Sequence, residues 1–199
     1  DSKLISFEQL DVKYNRPDIV LRTMGNKDSL LIASYYNAYI KRISKLGIDT
    51  TAFRDDYNIP EADLVNSDAI NVIQNKDKLA VHIKGSDSKY VLDRFNCWIN
   101  EVPLFGMKGI RIRDQKKLII DTTITVSLSE GDNRIETSVT NINGIESYRK
   151  PLVVKYVPEK TEKSNVYFIG VGINEFADNN YNLKWCVQDI RDLTKTMRE

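Results

Sequence analysis

The sequence predicts a mostly β chain with added helices: an immunoglobulin-like β-sandwich over residues 68–157, preceded by a helical strap and followed by the first βα unit of an α/β domain. Three observations predict it. Residues 78 to 156 carry five short runs in which apolar and polar side chains alternate, the period of strands with one buried face. Residues 28 to 47 carry a period near 3.6. After the charged, proline-containing stretch "VPEKTEKSN" comes "VYFIGV", apolar without alternation, as in a parallel strand covered on both faces.

Residues 1–67 form the expected strap and helix. Ile32, Tyr36, Tyr39, Ile40 and Ile43 fall on one helical face, with Asp28 placed to cap the start and Gly47 to end it. The preceding "DVKYNRPDIVLRTMG" has no helical period and contains Pro17, so it is expected to run extended. In the sandwich, "KLAVHIKG", "YVLDRFNCWINEVPLFG", "KKLIIDTTITVSLSEG", "RIETSVTNING" and "IESYRKPLVVKYV" supply strands. Turn residues Gly85-Ser86-Asp87, Gly131-Asp132-Asn133 and Asn143-Gly144 separate them. Ile124, Val126, Leu128 and Trp98 are expected to face the core. Residues 158–165 read as a linker and 166–199 as the βα unit, whose helix carries Cys186, Ile190, Leu193 and Met197 on one stripe.

Composition narrows the function. Lys plus Arg number 29 against 28 Asp plus Glu, so no general positive field attracts nucleic acid or anionic lipid. The longest apolar runs fall far short of the roughly 20 residues that span a bilayer. Neither nucleic acid nor membrane is an expected partner, and a cytoplasmic setting is expected. Cys97 and Cys186 are too few for a disulfide scaffold and are expected as free thiols. Residue 1 is Asp, and the chain reads as a piece of a longer polypeptide.

His82 is the single histidine, which excludes chemistry that needs two imidazoles; on its strand it lies opposite Val81 and Ile83, at a surface or rim. A His82/Cys97 dyad is disfavoured because both sit inside strands, away from loops. No Cys-x-x-Cys or histidine pair exists, and the Asp55-Asp56 and Asp189/Asp192 pairs lack a calcium-loop spacing, so neither metal nor cofactor is expected. Gly170-x-Gly172 lacks the third glycine of a dinucleotide loop and reads as a tight exit from the strand. Trp98, Phe105 and Tyr148 read as packing residues rather than a ligand platform.

The closing segment "VYFIGVGINEFADNNYNLKWCVQDIRDLTKTM" resembles the first strand, loop and helix of caspase-like cysteine peptidases, and metacaspases more than animal caspases. The family pattern is a strand ending in Gly-Ile-Asn and an aromatic, then Leu-x-Gly-Cys-x-Asn-Asp opening the helix. Here stand Gly172-Ile173-Asn174, Phe176, Leu183, Cys186 and Asp189, with Trp185 for the glycine and Gln188 for the asparagine. "YNRPDIVLRTMG", "CWINEVPLFG" and "LSEGDNRIETSVTNINGIES" resemble the segment that joins a β-propeller to a caspase-like domain in large bacterial proteins.

The resemblance implies that the catalytic His and Cys lie beyond residue 199, so this chain alone holds no catalytic residue and the parent is the endopeptidase. It also implies a peptide or protein substrate. Leu183 stands where animal caspases carry an acid-selecting arginine, and Cys186 and Asp189 match wall residues of a metacaspase pocket for Arg or Lys. Asp189 could equally serve as a favourable negative charge at a helix start. The strand at 166–171 is expected to pair with the downstream remainder of the domain or with a second chain. The rival reading is a non-catalytic module whose sandwich binds a protein or glycan.

Overall fold

The computed structural model describes residues 5–56, 58–160 and 167–198, and the chain divides into two compact units, residues 1–159 and 160–199. Part of the expected linker, residues 161–165, and the first residue of the expected strand, Val166, lie outside the described residues.

The first unit opens with three helices, α1 (Phe7–Tyr14), α2 (Pro17–Thr23) and α3 (Ser29–Leu46). The stretch expected to be extended is therefore helical. Pro17 is the first residue of α2, a position where its missing N–H costs nothing, and Gln9 Oε1 accepts from Ser6 N at 3.1 Å to hold the start of α1. α3 follows its sequence signals: Asp28 Oδ1 accepts from Leu31 N at 3.0 Å, and Gly47 ends the helix in the left-handed region at φ 63°. Ile32, Tyr39 and Ile43 are buried, whereas Tyr36 and Ile40 of the same expected face stay exposed.

Among the described residues nine strands follow: β1 (Glu61–Leu64), β2 (Ile73–Gln74), β3 (Lys78–Ser86), β4 (Leu92–Ile99), β5 (Val102–Pro103), β6 (Ile110–Arg111), β7 (Ile119–Ser127), β8 (Gly131–Asn141) and β9 (Leu152–Tyr156). They form two sheets, β1-β3-β7 and β2-β9-β8-β4-β5, with β6 also on β4. Every pair is antiparallel except β2 with β9. In immunoglobulin letters the sheets are A-B-E and A′-G-F-C-C′, so the chain folds as an immunoglobulin-like β-sandwich within a mostly β chain that carries four α-helices among the described residues. The sandwich begins at β1, inside the residues assigned to the strap.

Val81, Ile83, Val126, Cys97, Ile135 and Val154 meet between the sheets, joined by Leu64, Leu79 and Leu128. A second cluster gathers Leu92, Phe95, Ile112 and Val139. Each such side chain contributes about 1.5 to 3 kcal/mol on burial, which a sandwich without a disulfide requires. Trp98 does not join them. The β4–β8 register shifts between Leu92 and Arg94, and the residues that follow send Phe95 and Cys97 inward and Trp98 outward.

The helices are fastened to the sandwich by polar side chains. Arg94 reaches back to the end of α3, donating to Leu46 O at 2.6 Å and Gly47 O at 3.3 Å, while Asp93 holds its guanidinium at 2.6 Å. Arg113 joins Asp93 to Asp49 at 2.7 and 2.9 Å. α1 is tied down by Glu146 N donating to Gln9 O at 2.9 Å and by Lys13 Nζ donating to Asn143 Oδ1 at 3.2 Å. At the β8 turn a Cβ on Gly144, which has φ 76°, would stand 2.6 Å from the Phe53 ring, so this turn needs glycine twice over. Among the described residues no helix is long and apolar enough to cross a membrane.

Candidate functional site

Cys186 and Asp189 both lie on α4 (Cys186–Thr196), in the second unit. Three residues apart, they share one face of its first turn; Cys186 is half-buried and Asp189 exposed. Asp189 places a negative charge in the first turn of the helix, a favourable arrangement for any role. The residue before the helix, Trp185, offers no capping oxygen, and Asn174 supplies it from across the loop. Its Oδ1 accepts from Val187 N at 3.0 Å, its Nδ2 donates to Lys184 O at 3.3 Å and its carbonyl accepts from Leu183 N at 2.8 Å. Asn182 Oδ1 accepts from Phe176 N at 2.8 Å and closes the loop.

Residues 167–176 lie against α4 without forming a strand ladder among the described residues, so the strand expected over 166–171 is absent there. A strand is defined by its neighbour, and among the described residues of its own unit this segment has a helix on one side and no paired strand. Its side chains still alternate. Phe168, Gly172 and Asn174 are half-buried, while Tyr167, Ile169 and Val171 are 87%, 89% and 76% exposed and Ile173 continues their row. The glycines set the approach: a Cβ on Gly172 would stand 2.5 Å from the Cys186 carbonyl oxygen, and one on Gly170 would stand 2.6 Å from Ile190 Cγ2. Gly170-x-Gly172 is thus a helix-packing pair, not the tight exit from a strand expected for it.

In the first unit His82 and Cys97 do not form a dyad. His82 on β3 turns outward, with Nε2 2.6 Å from Asp121 Oδ1, while Cys97 on β4 is buried between the sheets. Burial pushes the Cys97 thiol up to about 11. Native protein at pH 8 is therefore expected to take one equivalent of iodoacetamide at Cys186 and a second, at Cys97, only after unfolding; peptide mapping of the alkylated chain checks this, and rapid native labelling of Cys97 would contradict it. No group of three or more metal-ligating side chains forms among the described residues.

The first unit carries several cavities that its sequence does not announce. A groove of about 490 Å³ runs between α1, α3 and the outward face of β4, where the Arg149 guanidinium lies 3.6 Å from the Trp98 ring centroid and pairs with Glu146 at 2.8 Å. A second, of about 520 Å³, opens beside Tyr14, Tyr36, Tyr39 and Phe53. There Arg16 stacks 4.3 Å from the Tyr39 centroid and grips Asp18, and that hydrogen-bonded contact holds the Asp18 carboxyl below the usual range. Trp98, Phe105 and Tyr148 do not converge: Phe105 packs edge-on against Phe95 and Tyr148 lines a separate cavity. Neither Cys186 nor Asp189 lines any of these cavities.

No family model and no curated protein matches the chain. Among solved structures it is similar to the fibronectin(III)-like modules of Clostridium thermocellum CbhA, at 12% identity and a TM-score of 0.38, over 57% of this chain and 55% of that one. It is also similar to the endo-β-1,4-mannanase from Thermotoga petrophila, at 12% identity and a TM-score of 0.33, over 67% of this chain and 25% of that one. The chain thus spans about half of the first and a quarter of the second.

Proposed function

We propose that this chain is the strap, sandwich and opening βα unit of a caspase-like cysteine endopeptidase of the cytoplasm, whose catalytic His and Cys belong to the remainder of the protease domain. The carrying observation is the second unit itself. Residues 170–174 lie against α4 through Gly170, Gly172 and the Asn174 cap, and the segment presents an exposed row of Tyr167, Ile169, Val171 and Ile173 with no strand paired to it among the described residues of its unit. A 40-residue unit of this kind is at the size where a chain needs further partners to be stable. The remainder of an α/β domain would cover that row and supply the neighbouring strands; a second chain is the other source of a strand. Two free thiols support a reducing compartment.

On this reading Cys186 and Asp189 wall the pocket for an Arg or Lys side chain, and the exposed Asp189 carboxylate receives a guanidinium, a charge-assisted contact of about 1.5 to 3 kcal/mol. The non-catalytic reading, with a glycan on the sandwich, is weakened by Arg149, which already occupies a face of Trp98. Matched peptide substrates ending in Arg, Lys or Asp, given to the parent polypeptide, test the proposal. Cleavage after Arg or Lys is expected, and Asp189→Ala should lower kcat/KM for those peptides about ten- to a hundredfold. Cleavage after Asp alone, or a parent without the downstream dyad, would reject it.

A further inference from the structure

We infer that β7 is a self-association edge, on which the β7 strand of a second copy pairs antiparallel about a two-fold axis at Thr123. The backbone pattern defines the edge. Leu128 N donates to Asp77 O and Asp87 N to Leu118 O, so in the β3–β7 ladder the even-numbered residues of β7 turn their N–H and C=O groups toward β3. The odd-numbered residues Ile119, Asp121, Thr123, Thr125 and Ser127 therefore aim theirs away from the sheet, where β7 has no neighbour among the described residues. The same residues place their side chains on the exposed face.

Edge strands are ordinarily blunted by shortness, proline, lysine or a bulge. β1 has four residues, two of them acidic; β2, β5 and β6 have two each, and β5 ends in Pro103. β7 has nine residues, about 30 Å of chain, in unbroken register with β3, without proline or lysine. It is the long, straight edge of this sandwich.

The side chains choose the occupant. A peptide that adds to a sheet edge draws its specificity from pockets beside that edge, and the cavities described above are lined by other residues. A flat strand of matching sequence fits instead. Centring the pair on Thr123 sets Ile120 against Val126′, Thr122 against Ile124′, Asp121 against Thr125′ and Thr123 against its own copy. All nine residues overlap, no like charges meet, and about ten backbone hydrogen bonds form. Asp121 fixes the register, because centring on residue 121 would oppose two carboxylates across the axis. The axis closes the pair at two copies and joins two three-stranded sheets into one of six.

The full chain, followed by light scattering on a sizing column from low to high micromolar concentration, is expected to pass from monomer to dimer. Thr123→Pro deletes an N–H that points away from β3, so the fold accommodates it while the pairing is lost; the dimer should weaken about tenfold or more with an unchanged circular dichroism spectrum. In a Cys186→Ser background, Thr123→Cys is expected to form an interchain disulfide on mild oxidation and Thr125→Cys, which faces Asp121′, is not. A chain that stays monomeric throughout, a dimer indifferent to Thr123→Pro, open-ended aggregates, or equal cross-linking at 123 and 125 would each overturn the inference.

Discussion

Replacing Arg94 with alanine is expected to cost about 2 to 3 kcal/mol of stability, the order of losing hydrogen bonds from a charged, nearly buried donor. The Arg94 and Asp93 side chains are 10% and 5% exposed and only 2.6 Å apart. Neighbours on a regular strand point to opposite faces, and it is the register shift beside Asp93 that lets the two meet. The substitution removes the donor to Leu46 O, Gly47 O and Lys108 O and leaves Asp93 with Arg113 as its cation. Two of those carbonyls are at the C-terminal end of α3, which no other backbone group of the helix can satisfy. Urea unfolding of the full chain measures the loss. Hydrogen exchange adds the local reading: amides in the last turn of α3 should exchange faster in the variant than those of its first turn. Arg94→Lys should recover only part, since a single ammonium cannot span carboxylate and carbonyls together. A loss under about 1 kcal/mol would mean that the helices hold to the sandwich by other means.

Legibility in the sequence followed the kind of force involved. α3 was legible because its period, Asp28 and Gly47 agree, and β3, β7 and β8 because alternating burial writes itself into composition. α1 and α2 were not, although both carry start signals: Gln9 three residues after Ser6, and Pro17 at a first helical position, which was read as a breaker. At eight and seven residues they are too short to be helical alone, and their stability comes from Glu146, Asn143, Arg42 and the Arg16–Tyr39 stack, contacts that span up to 137 residues of sequence. Trp98 departs from expectation because a register shift resets which residues face inward, and alternation alone does not show where a strand slips. β1 was missed because "EADL" has the composition of a loop and pairs only because β3 offers an open edge. In the second unit the helix itself was legible, but of its expected stripe only Cys186 and Ile190 are half-buried while Leu193 and Met197 are exposed, and Gly170 and Gly172 approach that helix rather than closing the end of a strand. The Asn174 cap was not legible, because it acts on Val187, thirteen positions further along the chain.

The second large effect is expected at Gly172. A Cβ built there stands 2.5 Å from the Cys186 carbonyl oxygen, 2.9 Å from its carbonyl carbon and 3.0 Å from Val187 Cα. All three are main-chain atoms in the first turn of α4, so no rotamer change relieves the overlap and the segment must part from the helix. Gly170 is the internal comparison. Its closest obstacles are Ile190 Cγ2 at 2.6 Å and the Phe168 ring at 3.1 Å, side chains that can turn away. Gly172→Ala should therefore cost about 3 kcal/mol, the upper end of overpacking losses, and Gly170→Ala about 1 kcal/mol. Parting the segment from α4 also breaks the Asn174–Val187 hydrogen bond, which leaves the helix without its side-chain cap and moves Cys186 and Asp189 together. Amide exchange at Val187 reads this directly: protection should vanish in Gly172→Ala and persist in Gly170→Ala. In the proposed parent peptidase the same variant should lose hydrolysis of Arg and Lys peptides while its downstream cysteine still reacts with a small alkylating agent. The damage would then lie in the pocket wall rather than in the nucleophile. Equal Val187 protection in the two variants would show that the contact between segment and helix is looser than its glycines imply.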